Sequence, residues 1–311
     1  MKLHLPPWLT AITPLFLSLL FSPAAETFRI ATYNVENYLD QPTESRKNTK
    51  SAAAKAIIRE SILAMKPDVI ALEEMGGTNA LLELRDSLKA DGLDLPYWEH
   101  ITAWDTNIHV CVLSKFPITD HRSHTNDTFL LSGRRLHVGR GFTEVDIQVN
   151  TNYSFTLFGT HLKSQRPVPE ADQAEWRLEE AKLLRKYIDA RLAKNADDNI
   201  IVLGDFNDIP NSLPIKTLIG RGKNQLVDTR PAERNGDDQP NPTNPHWSPR
   251  NIAWTHYYGV EDSYSRLDYI LLSPSMAKEW IKEETYIPNI PNWGIGSDHR
   301  PVVAGFVAKD R

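Results

Sequence analysis

Apolar runs in this sequence repeatedly stop on residues that can bind metal, move protons or hold phosphate. Phe28-Arg29-Ile30-Ala31-Thr32-Tyr33 is followed by Asn34, and Val69-Ile70-Ala71-Leu72 by Glu73-Glu74. The run that starts at Tyr153 ends in Thr160-His161, and Ile200-Ile201-Val202-Leu203 ends in Gly204-Asp205-Phe206-Asn207-Asp208. Asp268 lies near the start of the 267–272 run, and Ser297-Asp298-His299-Arg300 precedes the last one. Singly, each is weak. Gly-Asp-x-Asn-Asp is turn chemistry, adjacent Glu residues are usually solvated, and Asp-His-Arg suits a surface ion cluster. The conjunction is informative, because strand ends on one edge of a sheet converge on one cleft.

The chemistry these residues share is metal-assisted hydrolysis of a phosphoester. Mg²⁺ is a hard cation that takes oxygen ligands, typically one or two carboxylates with water and substrate phosphate. Asn34, Glu74 and Asp298 are the candidate ligands, with Mn²⁺ or Ca²⁺ as alternative ions. A water nucleophile needs a base or an orienting group. Asp205 and Asn207 are two residues apart, a spacing that faces one way along a strand. His161 and His299 would steady phosphate oxygens or protonate the leaving group, with Asp268 orienting the His299 ring.

These residues need a scaffold that gathers strand ends. Ile57, Ile58 and Ile62 at helical spacing predict a helix over 51–65, stopped by Pro67. A second helix is expected over 79–88 and the longest over 169–194, opened by Pro169. Strands are expected over 28–33, 69–72, 109–113, 142–149, 153–160, 200–203, 267–272 and 302–307, with Asn150-Thr151-Asn152 as a hairpin turn. Some strand pairs leave no room for a crossover helix, so the expected class is α/β with mixed sheets and helices on their outer faces. Residues 230–252, rich in Pro, Asn and Asp, read as a long surface loop. No internal repeat or linker divides the chain, and one domain is expected over 26–311.

The chain has 311 residues, 35 Lys+Arg against 40 Asp+Glu, a formal net charge of -5, and is 41% hydrophobic. Those values exclude collagen, coiled coil and wholesale disorder. Mild acidity argues against nucleic-acid binding by a basic footprint alone, but not against handling phosphate through metal ions. The single cysteine, Cys111, sits in Val110-Cys111-Val112-Leu113 and reads as a small buried hydrophobe, so an intramolecular disulfide and a cysteine-based zinc site are both excluded. Lys2, an apolar stretch over 8–21 and then Ser22-Pro23-Ala24-Ala25 read as a signal peptide over 1–25. The stretch is short against the ~20 residues a membrane span needs; an uncleaved anchor is the alternative. The mature protein is expected to be secreted or periplasmic, monomeric, and not stably inserted in a membrane.

The motifs also occur in the order and form of one family. They are Thr32-Tyr33-Asn34-Val35-Glu36-Asn37, Asp68-Val69-Ile70-Ala71-Leu72-Glu73-Glu74-Met75, Val112-Leu113-Ser114-Lys115-Phe116-Pro117-Ile118 and Gly159-Thr160-His161-Leu162-Lys163. Gly204-Asp205-Phe206-Asn207-Asp208, Ser265-Arg266-Leu267-Asp268-Tyr269-Ile270 and Ser297-Asp298-His299-Arg300-Pro301-Val302 complete the set. Over about residues 28–307 the sequence resembles the endonuclease/exonuclease/phosphatase superfamily, metal-dependent phosphoesterases that include DNase I-like nucleases, abasic-site endonucleases, neutral sphingomyelinases and inositol polyphosphate 5-phosphatases. The resemblance implies a DNase I-like four-layer α/β sandwich, two mixed β-sheets packed face to face with helices on the outside. It implies Glu74 as the main metal ligand, Asn34 and Asp298 near the metal, and Glu73 behind them where many relatives carry Gln. It implies His161 and Asn207 on the scissile phosphate, Asp205 orienting or deprotonating the attacking water, and His299, paired with Asp268, stabilising the pentavalent transition state. One metal or two stays open.

Two departures bear on the substrate. Some nucleases of the family carry a phosphate-contacting Tyr just before the Val-Leu-Ser strand, where this chain has Asn107, Ile108 and His109. His109 is the candidate replacement, or else a strand residue packed at the cleft wall. There is no distinct basic DNA-gripping insertion. Arg134, Arg135 and Arg140 cluster in sequence, and Arg140 and Lys163 are the candidates for holding substrate, against a solvated loop. Trp247, Trp254, Tyr257 and Tyr258 could stack on a base or sugar or belong to the core. The expectation is a secreted Mg²⁺-dependent phosphodiesterase working by in-line attack of an activated water, foremost an endo- or exonuclease with nucleic acid as its partner. The alternative is a lipid or small-molecule phosphodiesterase or phosphatase of the sphingomyelinase kind. A serine hydrolase lacks its Gly-x-Ser-x-Gly elbow here, and the intact residue set argues against a catalytically dead binding module.

Overall fold

Period-two alternation sorts the strands into two sheets with a shared interior. The computed structural model describes residues 26–234, 242–244, 246 and 251–310; the expected signal peptide and Trp247 lie outside them. Along the chain come β1 (Thr27–Tyr38), α1 (Ala52–Met65), β2 (Val69–Met75), α2 (Thr78–Ala90), β3 (Tyr97–Ile101), β4 (His109–Ser114) and β5 (Ile118–His121). A small hairpin, β6 (Thr128–Leu131) and β7 (Arg134–His137), precedes the long pair β8 (Phe142–Asn150) and β9 (Tyr153–His161). Then follow α3 (Gln173–Lys194), β10 (Ile200–Asp205), α4 (Leu213–Ile219), β11 (Val227–Asp228), the hairpin β12 (His256–Tyr258) and β13 (Ser263–Ser265), and β14 (Asp268–Leu272). The chain closes with α5 (Met276–Glu279), β15 (Trp280–Tyr286), α6 (Trp293–Gly296) and β16 (Val302–Val307).

One six-stranded sheet runs β15-β16-β1-β2-β4-β3, the other β11-β14-β10-β9-β8-β5. Each contains one parallel pair, β1 with β2 and β9 with β10, and is otherwise antiparallel. The parallel pairs are the ones that need a crossover, and α1 and α3 supply them. Because successive side chains point to opposite faces, each central strand feeds two cores. Ile30, Ala71 and Val112 of the first sheet meet Leu157, Leu203 and Ile270 of the second. On the outside, Ile70, Leu72 and Cys111 pack with Ile58 and Ile62 of α1 and Leu81 and Leu84 of α2. Val202 and Leu271 pack with Leu184 and Ile188 of α3 and Ile215 of α4. Three apolar interfaces make four layers, the expected α/β sandwich. Burial on both faces explains why Ile200-Ile201-Val202-Leu203 is apolar without a break. Each such side chain contributes about 1.5–3 kcal/mol when fully buried.

Local details depart from the expectations. The longest helix starts at Gln173, not Pro169, because the Asp172 carboxylate accepts from the N–H groups of Ala174 and Glu175 and sets the first turn. Strand β3 was not expected. It is an edge strand whose Tyr97 and Trp98 are exposed, so no buried row marks it. Cys111 is buried and unpaired. Among the described residues, no helix is long and apolar enough to cross a membrane.

Candidate active site

At one end of the sandwich the inward-facing rows of both sheets turn from apolar to polar. In β1 the row runs through Phe28 and Ile30 to Thr32 and Asn34; in β2 it runs through Val69 and Ala71 to Glu73. In β9 it passes Phe155 and Leu157 and ends at His161; in β10 it passes Ile201 and Leu203 and ends at Asp205. In β14 Leu272 and Ile270 lead back to Asp268. The register then aligns these ends: Asp205 lies opposite His161 on one side and Asp268 on the other, and Asn34 lies opposite Glu73. Asn34 Nδ2 donates to Asp205 Oδ2 at 3.0 Å and ties the two sheets together. Gly204 lets β10 approach this closely. Its φ is +134°, and a Cβ there would stand 1.9 Å from the Thr160 carbonyl oxygen.

Asp205 is the hub. Its Oδ1 accepts from the Asn207 N–H at 2.8 Å, and its Oδ2 from Asn207 Nδ2 at 3.2 Å. Asn207 sits at φ +52°, a conformation Asn tolerates, and this folds its amide back onto the carboxylate. His161 Nε2 lies 3.4 Å and His299 Nε2 3.7 Å from the same Oδ2. Asp268 Oδ2 takes a 2.8 Å hydrogen bond from His299 Nδ1. Two hydroxyls hold this frame. The buried Thr255 Oγ1 accepts from the Leu267 and Asp268 N–H groups. Ser297 Oγ donates to the Asn34 carbonyl at 2.7 Å and accepts from the His299 N–H.

Burial and unequal partners drive the titrating groups apart. Burial raises Asp205 to about 6, helped by Asp268 and opposed by His299 and by the hydrogen bonds from Asn207 and Asn34. Burial and the negative charge of Asp268 push Glu73 well above the carboxylate range, although Thr32 Oγ1 donates to it at 2.9 Å. Burial disfavours a charged His299, but Asp268 and Asp205 outweigh it and hold its proton well above the ordinary imidazole value. His161 goes the other way: burial, then the cations Arg140, His299, Arg46 and Lys163, push it well below that value. The site therefore holds one protonated and one neutral imidazole around a carboxyl poised near neutrality.

Glu74 reaches the cluster through a kink. Simple alternation would send it to the helix side, opposite Glu73. Instead it adopts φ +62°, the β2–β4 register shifts between Leu72 and Met75, and β1 shifts at the same level with Glu36 and Asn37 at positive φ. Such irregularities re-aim side chains beside active sites. Glu74 Oε2 accepts from the Asn37 N–H at 3.0 Å, and Oε1 lies 4.0 Å from His161 Nε2. Glu36 joins it: burial raises its carboxyl, and the negative charges of Asp298 and Glu74 add to that effect against Lys50. Lys50 Nζ donates to the Glu36 carbonyl at 2.6 Å. Burial would raise Asp298 too, but His256 and His299 more than offset it. Three carboxylates thus share one region with a single lysine between them. Hard oxygen donors with surplus negative charge fit a cation of the Mg²⁺ type.

The other expected residues are divided. Arg140 Nη1 donates to the Leu162 carbonyl at 3.3 Å, beside His161, and its Nε pairs with Asp105 at 3.4 Å. Lys163 follows in the same loop, its backbone N–H donating to Glu180 at 2.6 Å. Arg134 and Arg135 are exposed on the β6–β7 hairpin and do not join Arg140. His109 shares the helix-facing side of β4 with Cys111 and Leu113. Its Nδ1 bonds the Ile101 carbonyl, it packs on His100, and it lines a separate cavity of about 320 Å³ with Thr78, Asn79 and Asn107. Burial pushes it down to about 4, helped by His100. The structure does not bring it into the cluster. Trp254 lies half-buried under the Arg300 guanidinium, 4.2 Å from the ring centroid, while Tyr258 is exposed. Sequence reasoning missed Lys50, Arg46 and His256. Glu36 and Asn37 stood inside a recognised string without a role.

Comparison with known proteins agrees with the fold. The model of the Endonuclease/Exonuclease/phosphatase family matches residues 31–299. A search of curated proteins returns no match. Among solved structures, the human Nocturnin catalytic domain with bound sulfate superposes with a TM-score of 0.61 at 14% identity, covering 91% of this chain and 95% of that one. Sphingomyelinase C from Streptomyces griseocarneus gives 0.59 at 19% identity, with 90% and 99% covered. Truncated Caenorhabditis elegans TDP2 gives 0.58 at 13% identity, with 91% and 98% covered. At these identities the likeness is one of fold.

Proposed function

The chain belongs to the endonuclease/exonuclease/phosphatase family, and on that premise we propose that it is a divalent-metal-dependent phosphodiesterase that hydrolyses nucleic acid outside the cytoplasm. The observation that carries the reading is Asp205 Oδ2, on which Asn34, Asn207, His161 and His299 converge from four stretches of chain.

Each group has work suited to its state. Asp205, raised to about 6, can take a proton from water near neutral pH, and Asn34 and Asn207 fix its orientation. His299 keeps its proton through Asp268 and can donate from Nε2 to a phosphate oxygen as charge grows there. Neutral His161 can hydrogen-bond a second phosphate oxygen without trapping the product by charge. Glu74, Asn34 and Asp298 would hold the metal ion, which when bound supplies charge neutralisation at the phosphate and a template for the attack. Arg140, Arg46 and Lys163 all act electrostatically on His161. Three cations on that side favour a substrate with several phosphates over a lone zwitterionic headgroup. Location outside the cytoplasm rests on the signal-like pattern of residues 1–25.

The test is hydrolysis of single-stranded DNA, RNA, bis-p-nitrophenyl phosphate and sphingomyelin by the purified protein, with Mg²⁺ and with EDTA. Cleavage of nucleic acid and of the model diester, abolished by EDTA, is expected. Phosphocholine release without nuclease activity would replace nucleic acid by lipid. Hydrolysis indifferent to EDTA would remove the metal from the account.

A further inference from the structure

His256 stands in the site without a task. It makes an isolated antiparallel bridge with His299, and the Tyr257 N–H donates to the Asp298 carbonyl at 3.0 Å, so the β12–β13 hairpin is fixed to the catalytic segment by its backbone. Its Nε2 lies 3.8 Å from Asp298 Oδ2, beyond hydrogen-bond length. Its ring centroid is 4.6 Å from that of His299. His256, Asp298 and His299 each bring one ligand atom into a group no wider than 4.8 Å. With Nδ1 on Asp268, Nε2 is the His299 atom left for a metal, which takes it in exchange for the proton held on the ring.

Two ligands held roughly 2.0–2.2 Å from one ion lie about 3–4 Å apart, so this spacing suits shared coordination better than a direct bond. The donors are two imidazole nitrogens and one carboxylate oxygen. Mg²⁺ prefers oxygen, whereas Zn²⁺ takes nitrogen readily. A carboxylate behind a ligating imidazole is the usual support of a metal-bound histidine, and Asp268 stands there. Asp298 and His256 are partly open to solvent, which leaves an entry path.

We propose that His256, Asp298 and His299 form an inhibitory site for a nitrogen-seeking divalent cation of the Zn²⁺ type, which ties up His299 Nε2 and keeps it from the substrate phosphate. Asp298 is shared with the oxygen-rich site, so Zn²⁺ and Mg²⁺ compete for it. The inhibition rests on the phosphodiesterase reading; the binding does not.

Zn²⁺ is titrated into the metal-stripped full chain against a chromophoric chelator and, separately, into Mg²⁺-activated hydrolysis of bis-p-nitrophenyl phosphate. One tightly bound Zn²⁺ per chain is expected. His256→Ala and His256→Gln should each weaken it at least ~10-fold and raise the inhibitory Zn²⁺ concentration by a similar factor, with unchanged far-UV circular dichroism. Equal Zn²⁺ affinity in both variants and wild type, or no tight binding by wild type, overturns the site. Binding that needs His256 yet leaves hydrolysis untouched overturns its inhibitory role. If wild type hydrolyses no diester at all, the phosphodiesterase reading fails, and the chelator titration still decides whether the site exists.

Discussion

Two buried groups of charged residues, one on the outer face of the second sheet and one where the two sheets meet, are balanced in opposite ways. On the outer face, Glu144 accepts from Arg122 at 2.7 Å, Arg191 at 3.1 Å and His124 at 2.8 Å. Asp146 accepts from Arg122 and Thr156, both at 2.6 Å. Burial would raise Glu144, but the hydrogen bonds from His124, Arg122 and Arg191 win and hold it at about 2. In the candidate active site the same residue types gather with no arginine hydrogen-bonded to them. Asp205 rises to about 6, Glu73 rises well above its range, and Glu73 Oε2, Asp268 Oδ1 and His161 Nδ1 are buried without hydrogen-bond partners. A network that satisfies every carboxylate has nothing left to offer a ligand. One that leaves buried polar atoms without partners costs stability, the pattern expected where a site is kept open for a ligand.

The sharpest way to break this contrast is to neutralise each hub. Asp205→Asn, and separately His299→Ala, should lower kcat on bis-p-nitrophenyl phosphate by at least ~10²-fold. Near-wild-type turnover in a folded variant would remove that residue from the chemistry. Glu144→Gln should do the reverse, keeping turnover while losing about 2–3 kcal/mol of stability in urea melts, because Arg122, Arg191 and His124 lose their charged acceptor. A variant as stable as wild type would show that the network is ornamental.

The pH dependence separates the two hubs further, and its signs are opposite. Asp205 has a folded value near 6 against an ordinary 3.8, so in the metal-free protein the fold loses stability as pH climbs from about 4 to 6. Glu144 has a folded value near 2 against 4.5, so its contribution is complete above about 4.5 and fades as pH falls towards 2. Asp205→Asn should therefore flatten the upper part of the stability–pH curve, and Glu144→Gln the lower part. The same part flattening in both variants would mean that the hubs are not electrostatically distinct. At the small end, Lys115→Ala removes two surface contacts, the 2.9 Å pair with Asp68 and an ammonium 5.5 Å from the Phe116 ring centroid, and should change stability by no more than about 1 kcal/mol.

Much of this site could be read in advance because strand chemistry is local. A row of Ile, Leu and Val that ends in Asp or His announces both the strand and its open end, which is how Asn34, His161, Asp205, Asp268 and His299 came together. What sequence hid was produced by departures from regular geometry or by tertiary contact. The turn of Glu74 towards the site needs matched kinks in β1 and β2, and no residue type there demands them. His256 meets His299 only because a hairpin of three-residue strands lies against the segment that carries His299. His109 teaches a different lesson. It is two residues from Cys111, correctly expected to be buried, and the same parity puts both on the helix side. Alternation carries that answer, whereas the likeness to a phosphate-contacting Tyr leaves open only a phosphate contact or packing at the cleft wall.

Position 204 carries no reactive atom, yet the reaction centre depends on what is missing there. Between Leu203 and Asp205 there is room for a hydrogen and nothing larger, since the Thr160 carbonyl already fills the space a methyl group would need. A single carbon added at that point would wedge β9 from β10 and carry Asp205 away from His161. One alanine there would thus cost both the site's geometry and the fold's stability while every chemical participant is still present.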